Sequence, residues 1–599
     1  MFSQIQKSAK DKILLKNSYL YLFSVLICLL WYVNIYINQE LPPDVGDGIM
    51  HFFISQASWH DSNLFFHHWG KPLFILLSSP FSQFGFNGMF VFQLLVFLLN
   101  CFFAFLIFKK SNVKSYLIIL FPFFLALTKD YNETVFSGLT ETLFNLFLII
   151  NAYLYINNKF LMFAACISFT PFLRSEGQLV VVLATLLLLF HKKYKFIPLL
   201  LLGFLIYSLL GGLFYNGFWW YFTENPYRFN NNIYGHGTWH HYFLSYKNYL
   251  GNQGLFLFCF VVIFFHKIYS KCSIDEKVLY FFSFLFFIGV LISHSYFWAM
   301  GKNGSMGLTR IATQGMPLFV LCNLIFLSKL KVDFFKSNFL IKNTLLVLFV
   351  LIPVFFLFKN KKFPIIASDF DSRIIESVQF LKKNSQYNKI YYHHPLIPFL
   401  FKVNPLINQK RFVSFPYINV NNNLIDDIKV GDVFIYDSHF SPLEGGININ
   451  HLLKINSFPV VATFKSSNGF EIYGITIFQK QLNNEVKLIE KKEELFKDKN
   501  VNSNKEFINL MSFLKNIYDR KVHFTLSKTK TKNVFAVCTD SDAINYQAIE
   551  LFNKDSVSFY LQNQKEYSFY IWNPNKKNIS LKNMSLILKY NLFPTLKKK

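Results

Sequence analysis

Apolar runs, some about twenty residues long and several shorter than the ~17 a straight crossing needs, recur between basic hinges along the first 358 residues and restrict the fold more than any other feature. The first, Ser18 to Ile37, is long enough to cross a bilayer as a helix, and Lys7, Lys10, Lys12 and Lys16 before it place the N-terminus on the cytoplasmic side. No small-residue cleavage site follows this run, so it reads as an anchor. Further runs extend over Phe86–Phe108, Val113–Thr128, Val135–Ile156, Leu161–Leu173, Leu179–Phe190, Phe196–Tyr215, Leu255–Phe265, Val278–Ala299, Met316–Leu327 and Thr344–Phe358. Lysine clusters at Lys109-Lys110, Lys192-Lys193 and Lys267 to Lys271 mark cytoplasmic hinges, and the opposite loops carry isolated charges. The expectation is a polytopic α-helical membrane protein of about eleven spans. Composition agrees: 53% of the 599 residues are hydrophobic, and no soluble chain of this length needs 77 phenylalanines. The formal charge of +26 comes from lysines at membrane edges and across the last third, which argues against nucleic-acid binding. The seven cysteines form no CxxC or Cys/His metal pattern.

An odd number of spans carries everything after Phe358 out of the cytoplasm. Ile374, Ile375, Val378, Phe380 and Leu381 give Asp369–Lys383 the pattern of an amphipathic helix. Strand-like runs follow at Lys389–Tyr392, Asp432–Tyr436, Val460–Phe464 and Phe470–Phe478, so residues 359–480 read as an extracytoplasmic α/β domain. Glu485–Tyr518 is charged and predicted helical, making 481–520 a helical linker. Short alternating runs after Lys521 predict a β-sandwich-like module over 521–599. The transmembrane domain is then 1–358.

Four polar sets converge on the outer face in this topology. Asp44 and Asp47 stand in Leu41-Pro42-Pro43-Asp44-Val45-Gly46-Asp47-Gly48-Ile49-Met50-His51, with His51 four residues after Asp47 on a surface helix. The second set is His67-His68-Trp69-Gly70-Lys71-Pro72, and the third is Glu133 and Glu141. The fourth is Arg174 and Glu176, with Arg310 in Gly307-Leu308-Thr309-Arg310. Charges at a membrane boundary are costly when buried unpaired, so such clusters mark polar cavities or ion pairs. Arg–carboxylate pairs that only staple helices together are the alternative. For Asp47 the alternative is a helix N-cap, since helix N-termini favour carboxylates. The long outer loop Gly217–Gly251 carries Trp219-Trp220-Tyr221, Asn230-Asn231-Asn232 and His236-Gly237-Thr238-Trp239-His240-His241. Interfacial aromatics account for most of it. Sugar contact involving His236 is the functional reading, and no carboxylate stands at metal-ligand spacing.

The acidic first outer loop followed by a surface helix resembles the GT-C superfamily of polyprenyl-phosphate-sugar-dependent glycosyltransferases. So do Gly70-Lys71-Pro72, the turn Arg174-Ser175-Glu176-Gly177, Arg310 before a late Pro-bearing span, and the soluble C-terminal region. The aminoarabinose and protein mannosyl transferases belong to the same group. The resemblance covers about the first 360 residues as an architecture. Two departures stand out: the acids are not adjacent, and Trp69-Gly70-Lys71-Pro72 replaces the usual His-Pro-Pro.

What the resemblance implies is an inverting transfer of a sugar from a polyprenyl-phosphate carrier to an extracytoplasmic glycan, lipid or protein, in the inner (plasma) membrane. One carboxylate would serve as general base, Asp47 ahead of Asp44. Arg310 and Arg174, with Lys71, are the candidates for the donor phosphate. His51, Glu141, Glu176, Trp69 and His236 are the candidate substrate contacts. No cofactor is assigned and no metal ligand set is named; a divalent cation stays open. The partners expected are the lipid-linked donor, the acceptor and membrane lipids, with no nucleic acid. A polysaccharide polymerase or ligase using lipid-linked glycans is the competing enzyme, but its large outer loop would lie between late spans. A transporter or assembly scaffold is the non-enzymatic alternative, and paired discontinuous helices in two related halves would favour the transporter.

Overall fold

The computed structural model describes residues 2–592 apart from 216, 227–234, 303–305, 331–350, 360–362, 364, 385–386, 409–410, 415–427, 448, 453–456, 465–473, 482–488, 516–519, 541–545 and 562–565. The chain divides into two compact units, Met1–Ser368 with His394–Phe412, and Asp369–His393 with Val413–Lys599.

The first unit is helical. Helix α1 (Phe2–Asn38) leads through a short loop to α2 (Asp47–Ala57), α3 (Pro72–Ser82) and the long α4 (Gly85–Lys110). Then come α5 (Lys129–Ser137), α6 (Glu141–Ile156), α7 (Gly177–Phe190), α8 (Ile274–Ala299) and α9 (Met316–Ser328). Five helical stretches among the described residues are long and apolar enough to cross a membrane: Ser18–Asn38, Gly85–Lys110, Tyr194–Phe214, Ile274–Met300 and Thr309–Ser328. A sixth crossing results if α5 and α6, bent by 109° at their junction, count as one broken span. Five further apolar helices have only 10–17 residues, so length and composition give five or six spans where the sequence suggests eleven. Of the expected run Thr344–Phe358, residues 344–350 lie outside the described residues and 351–358 are helical.

The long helices have two unlike faces. Leu22, Leu26 and Leu30 on α1, Leu95, Leu99 and Phe102 on α4, and Phe281, Leu285 and Ile292 on α8 are exposed at helical spacing. Stripes of that kind suit lipid, where apolar exposure costs nothing. The opposite faces pack inward. Phe97, Cys101, Ala104 and Phe108 of α4 are buried, and Tyr32 lies edge-on to Phe97 at 5.0 Å. The Tyr32 hydroxyl donates to Asn132 Oδ1 at 2.7 Å, which ties α1 to α5.

Two glycines bring the polar residues together. Gly138 ends α5 in the left-handed region at φ +72°, where it costs least, and a Cβ there would lie 2.6 Å from Met89 Cγ. Gly48, in the first turn of α2, lies so close to α5 that a Cβ would stand 2.4 Å from the Ser137 carbonyl oxygen. The start of α2 therefore docks on the α5–α6 break. Residues 394–412 cover the far side of α2: Phe399 packs edge-on against Phe52 and Phe86, and Asn404 Nδ2 donates to the Phe53 carbonyl at 2.9 Å.

The second unit opens with α10 (Asp369–Lys383), as the amphipathic pattern predicts. A five-stranded sheet follows, built from β1 (Ile390–Tyr392), β2 (Phe412–Ser414), β3 (Val433–Asp437), β4 (Val460–Phe464) and β5 (Ile475–Gln479) in the order β2-β1-β3-β5-β4. β1 and β3 are parallel; β5 runs antiparallel to β3 and β4. Among the described residues, the region predicted as a helical linker is β instead. β6 (Ile489–Ser503) pairs along β13 (Ile579–Leu592), and β7 (Phe507–Lys515) pairs with β12 (Glu566–Trp572). Charge in Glu490–Lys499 suggests a helix surface, yet it falls on an edge strand, where lysines and glutamates are favoured on the open side. With β8 (Arg520–Thr525), β9 (Phe535–Asp540), β10 (Tyr546–Glu550) and β11 (Ser556–Leu561) these strands make two four-stranded sheets, β10-β9-β12-β7 and β11-β8-β13-β6. One shared core holds Val522, Phe524, Cys538, Phe559, Phe569 and Leu586, so the module is a β-sandwich beginning at Ile489 rather than at 521.

Candidate active site

The loop Asp44–Gly48 is organised by Asp44. Its Oδ1 accepts the backbone N–H groups of Gly46 and Gly48, each at 3.1 Å, and its own N–H donates to Ser137 Oγ at 2.8 Å. The residue before α2, Gly46, has no side chain to cap the helix, so Asp44 does so from two residues further back. Asp47, expected as a possible cap, is instead the first residue of α2, and the cap position itself is Gly46. Arg310, on the 3₁₀ turn Thr309–Thr313 that enters α9, bridges the two acids: Nη1 to Asp44 Oδ2 and Nη2 to Asp47 Oδ2. The Asp44 side chain is 14% exposed and that of Asp47 is 41% exposed. One carboxylate is locked by three partners; the other is the more open.

A second arginine repeats the pattern across the α5–α6 break. Arg174 Nη1 donates to Glu141 Oε1 at 2.9 Å and to Thr140 Oγ1 at 2.8 Å, while Nε reaches Glu176 Oε2 at 3.3 Å. Glu176 also accepts His294 Nε2 at 3.0 Å and Gln314 Nε2 at 2.9 Å on Oε1. Burial alone would raise its pKa, but Arg174, His294 and Gln314 overrule that and hold Glu176 well below the carboxylate range. Lys71 donates to Ser175 Oγ at 3.3 Å, which brings it beside the same turn. It caps α3 at φ +66°, a backbone setting a non-glycine residue keeps only where its surroundings enforce it. Burial first, and Arg174 second, pull its pKa down to about 8.

His51 is buried and stacks on Trp69, with ring centroids 4.6 Å apart and planes 12° from parallel. Burial and the charges of Arg174, Lys71 and Arg310 push its pKa well down, so it is a neutral imidazole. The structure thus brings together Asp44, Asp47, His51, Trp69, Lys71, Glu141, Arg174, Glu176 and Arg310. It does not draw in His236, which is exposed and is not joined to them by these bonds; the neighbouring Asn230-Asn231-Asn232 lies outside the described residues. His294, Gln314, Thr140 and Ser137 escaped the sequence reading. Only His294 carried a usable signal, as a titratable residue inside an apolar span.

Among the described residues, no group of three or more His, Cys, Asp or Glu is placed to hold a metal ion. The position between Asp44 and Asp47, where a divalent cation would bridge two carboxylates, is filled by the Arg310 guanidinium.

No known family matches the chain by sequence, and no curated protein matches it. Among solved structures, the crystal structure of ArnT from Cupriavidus metallidurans bound to undecaprenyl phosphate matches 76% of this chain and 97% of that chain, with a TM-score of 0.51 and 10% identity. The chain has an ArnT-like fold. That likeness extends over helical and soluble parts together, since 76% of 599 residues exceeds the helical unit. At this identity it is a likeness of fold, and the chemistry of the site rests on this chain's own residues.

Proposed function

We propose that the protein is a multi-pass inner-membrane glycosyltransferase that moves a sugar from a polyprenyl-phosphate carrier to an extracytoplasmic glycan, lipid or protein, with inversion at the anomeric carbon. The observation that carries this reading is the unequal acid pair on Arg310, within the ArnT-like fold. Asp44 is committed to the loop; Asp47, paired with the same arginine, is open enough to take a proton. In the proposed step the acceptor hydroxyl oxygen attacks C1 as the bond from C1 to the phosphate oxygen breaks. Its proton passes to Asp47, and the carrier leaves as polyprenyl phosphate. One general base and one displacement invert the centre. Lys71 and Arg174 meet the departing phosphate, Arg174 as a planar donor fork and Lys71 as a point charge. Arg310 has a different emphasis from the sequence reading: its bonds to Asp44 and Asp47 support a role in fixing the acids, with donor contact secondary.

Replacing a carboxylate by an amide keeps shape and removes basicity. Asp47→Asn should lower kcat for transfer from a polyprenyl-phosphate sugar by about 10²–10⁴-fold. Asp44→Asn should mainly lower stability. An active Asp47→Asn beside an inactive Asp44→Asn would reverse the two roles, and two active variants would remove the loop from the mechanism.

A further inference from the structure

Two carboxylate or amide oxygens in the network around Arg174 and Glu176 are buried without a hydrogen-bond partner. Glu141 is 2% exposed; its Oε1 takes Arg174, while Oε2 has no partner. Gln314 is fully buried; its Nε2 donates to Glu176, while Oε1 has no partner. The amide orientation is fixed by chemistry, because a carboxylate such as Glu176 only accepts, so the nitrogen must face it and the oxygen must face away. The segments that carry the two groups are also tied together. Asn145 lies one helical turn beyond Glu141 on α6, about 5.4 Å along the axis. Its Nδ2 donates to the Thr313 carbonyl at 3.2 Å and its Oδ1 accepts the Gly315 N–H at 2.7 Å, gripping the chain on both sides of Gln314.

A buried acceptor left unmatched is costly, and these two belong to one network held by Arg174, Glu176 and Asn145. Both orphans are acceptors, so the missing group must donate. It must also fit next to Arg174 and Lys71, which repel a second cation. Neutral hydroxyl groups meet both conditions.

We propose that Glu141 and Gln314 form the subsite for the sugar of the lipid-linked donor, accepting hydrogen bonds from two of its hydroxyl groups and so setting which sugar is transferred. This rests on the glycosyltransferase reading above and extends it to the part of the donor beyond the phosphate. A site built to bond a hydroxyl rejects the analogue lacking it, by up to about 10⁴-fold or more.

The test compares affinities of the full-length protein for undecaprenyl phosphate and for undecaprenyl phosphates carrying a hexose, a pentose or the matching deoxy sugars. At least one sugar should tighten binding by about tenfold or more over the bare lipid, and removing one hydroxyl should erase that gain. Gln314→Met should abolish the ratio between sugar-bearing and bare lipid, and Glu141→Gln should reduce it. Equal weakening of both lipids would mean that Gln314 only supports Glu176, and would overturn the subsite. So would a wild-type protein that binds every lipid alike. Failure to bind even the bare lipid phosphate would overturn the glycosyltransferase reading itself, a distinguishable result.

Discussion

Lys71 is a site residue whose charge state changes just above neutral pH. Burial and Arg174 bring its pKa down to about 8, so its ammonium form is complete below that value and is lost above it. If Lys71 meets the donor phosphate, the apparent KM for the lipid donor should rise between about pH 7 and 9. Lys71→Arg, which cannot deprotonate there, should flatten that rise. A wild-type profile already flat over this range would separate Lys71 from donor binding. Much of the site's charge was legible in the sequence, because an acid or arginine at the end of an apolar run must find a partner. That argument led to Asp44, Asp47, Glu141, Arg174, Glu176 and Arg310. It could not say who pairs with whom, since the partners of Arg310 are more than 260 residues away along the chain. Nor could it find Gln314, a neutral residue with no cost visible in sequence. The cap on α2 shows the same limit: Asp47 has the composition of an N-cap, but Gly46 intervenes and the turn gives the bonds to Asp44. The turn after β3 is held by its own residues: Asp437 accepts the His439 and Phe440 N–H groups and the Ser441 hydroxyl.

At the scale of elements, the site depends on the break between α5 and α6. Ser137 on one side receives Asp44; Thr140 and Glu141 on the other receive Arg174. The break is thus the hub of both arginine clusters, and Gly48 lets α2 reach it. Gly48→Ala would place a methyl group 2.4 Å from the Ser137 carbonyl oxygen, and backbone on both sides must move to make room. Stability should fall by about 1–3 kcal/mol, the usual cost of overpacking, with a fall in kcat larger than any change in donor KM. Thermal unfolding alongside turnover checks this; normal kcat in the Gly48→Ala variant would mean that Asp47 tolerates displacement of its helix. The sequence placed Gly138 inside the apolar run Val135–Ile156, so the break was not marked. Its right-angle bend depends on tertiary packing against Met89 and α2, which no periodicity records. The strand β6 failed for a related reason. Its alternating acids and lysines look helical in isolation, and the long pairing with β13, much later in the chain, decides otherwise.

At the scale of the whole molecule, two self-contained cores follow the membrane region in the chain. The five-stranded sheet has its own cluster around Tyr391, Phe434, Tyr436 and Phe478, and the sandwich has another around Phe524, Phe559 and Phe569. Each buries apolar side chains on paired faces and so meets the condition for folding as a unit. None of the residues proposed for chemistry lies after Gln314, so neither core is needed for proton transfer or for meeting the phosphate. Their expected part is to select or hold the acceptor. A chain ending after Gln481 removes the sandwich without cutting the sheet or residues 394–412, which belong to the helical unit. It should keep its affinity for undecaprenyl phosphate within about twofold and should still transfer to a small soluble hydroxyl acceptor supplied in excess. Transfer to the native acceptor should fall by at least tenfold through KM, because a positioning module contributes binding rather than chemistry. Full activity of the shortened chain on the native acceptor would exclude the sandwich from acceptor recognition. Loss of lipid binding as well would mean that the sandwich supports the helical unit instead.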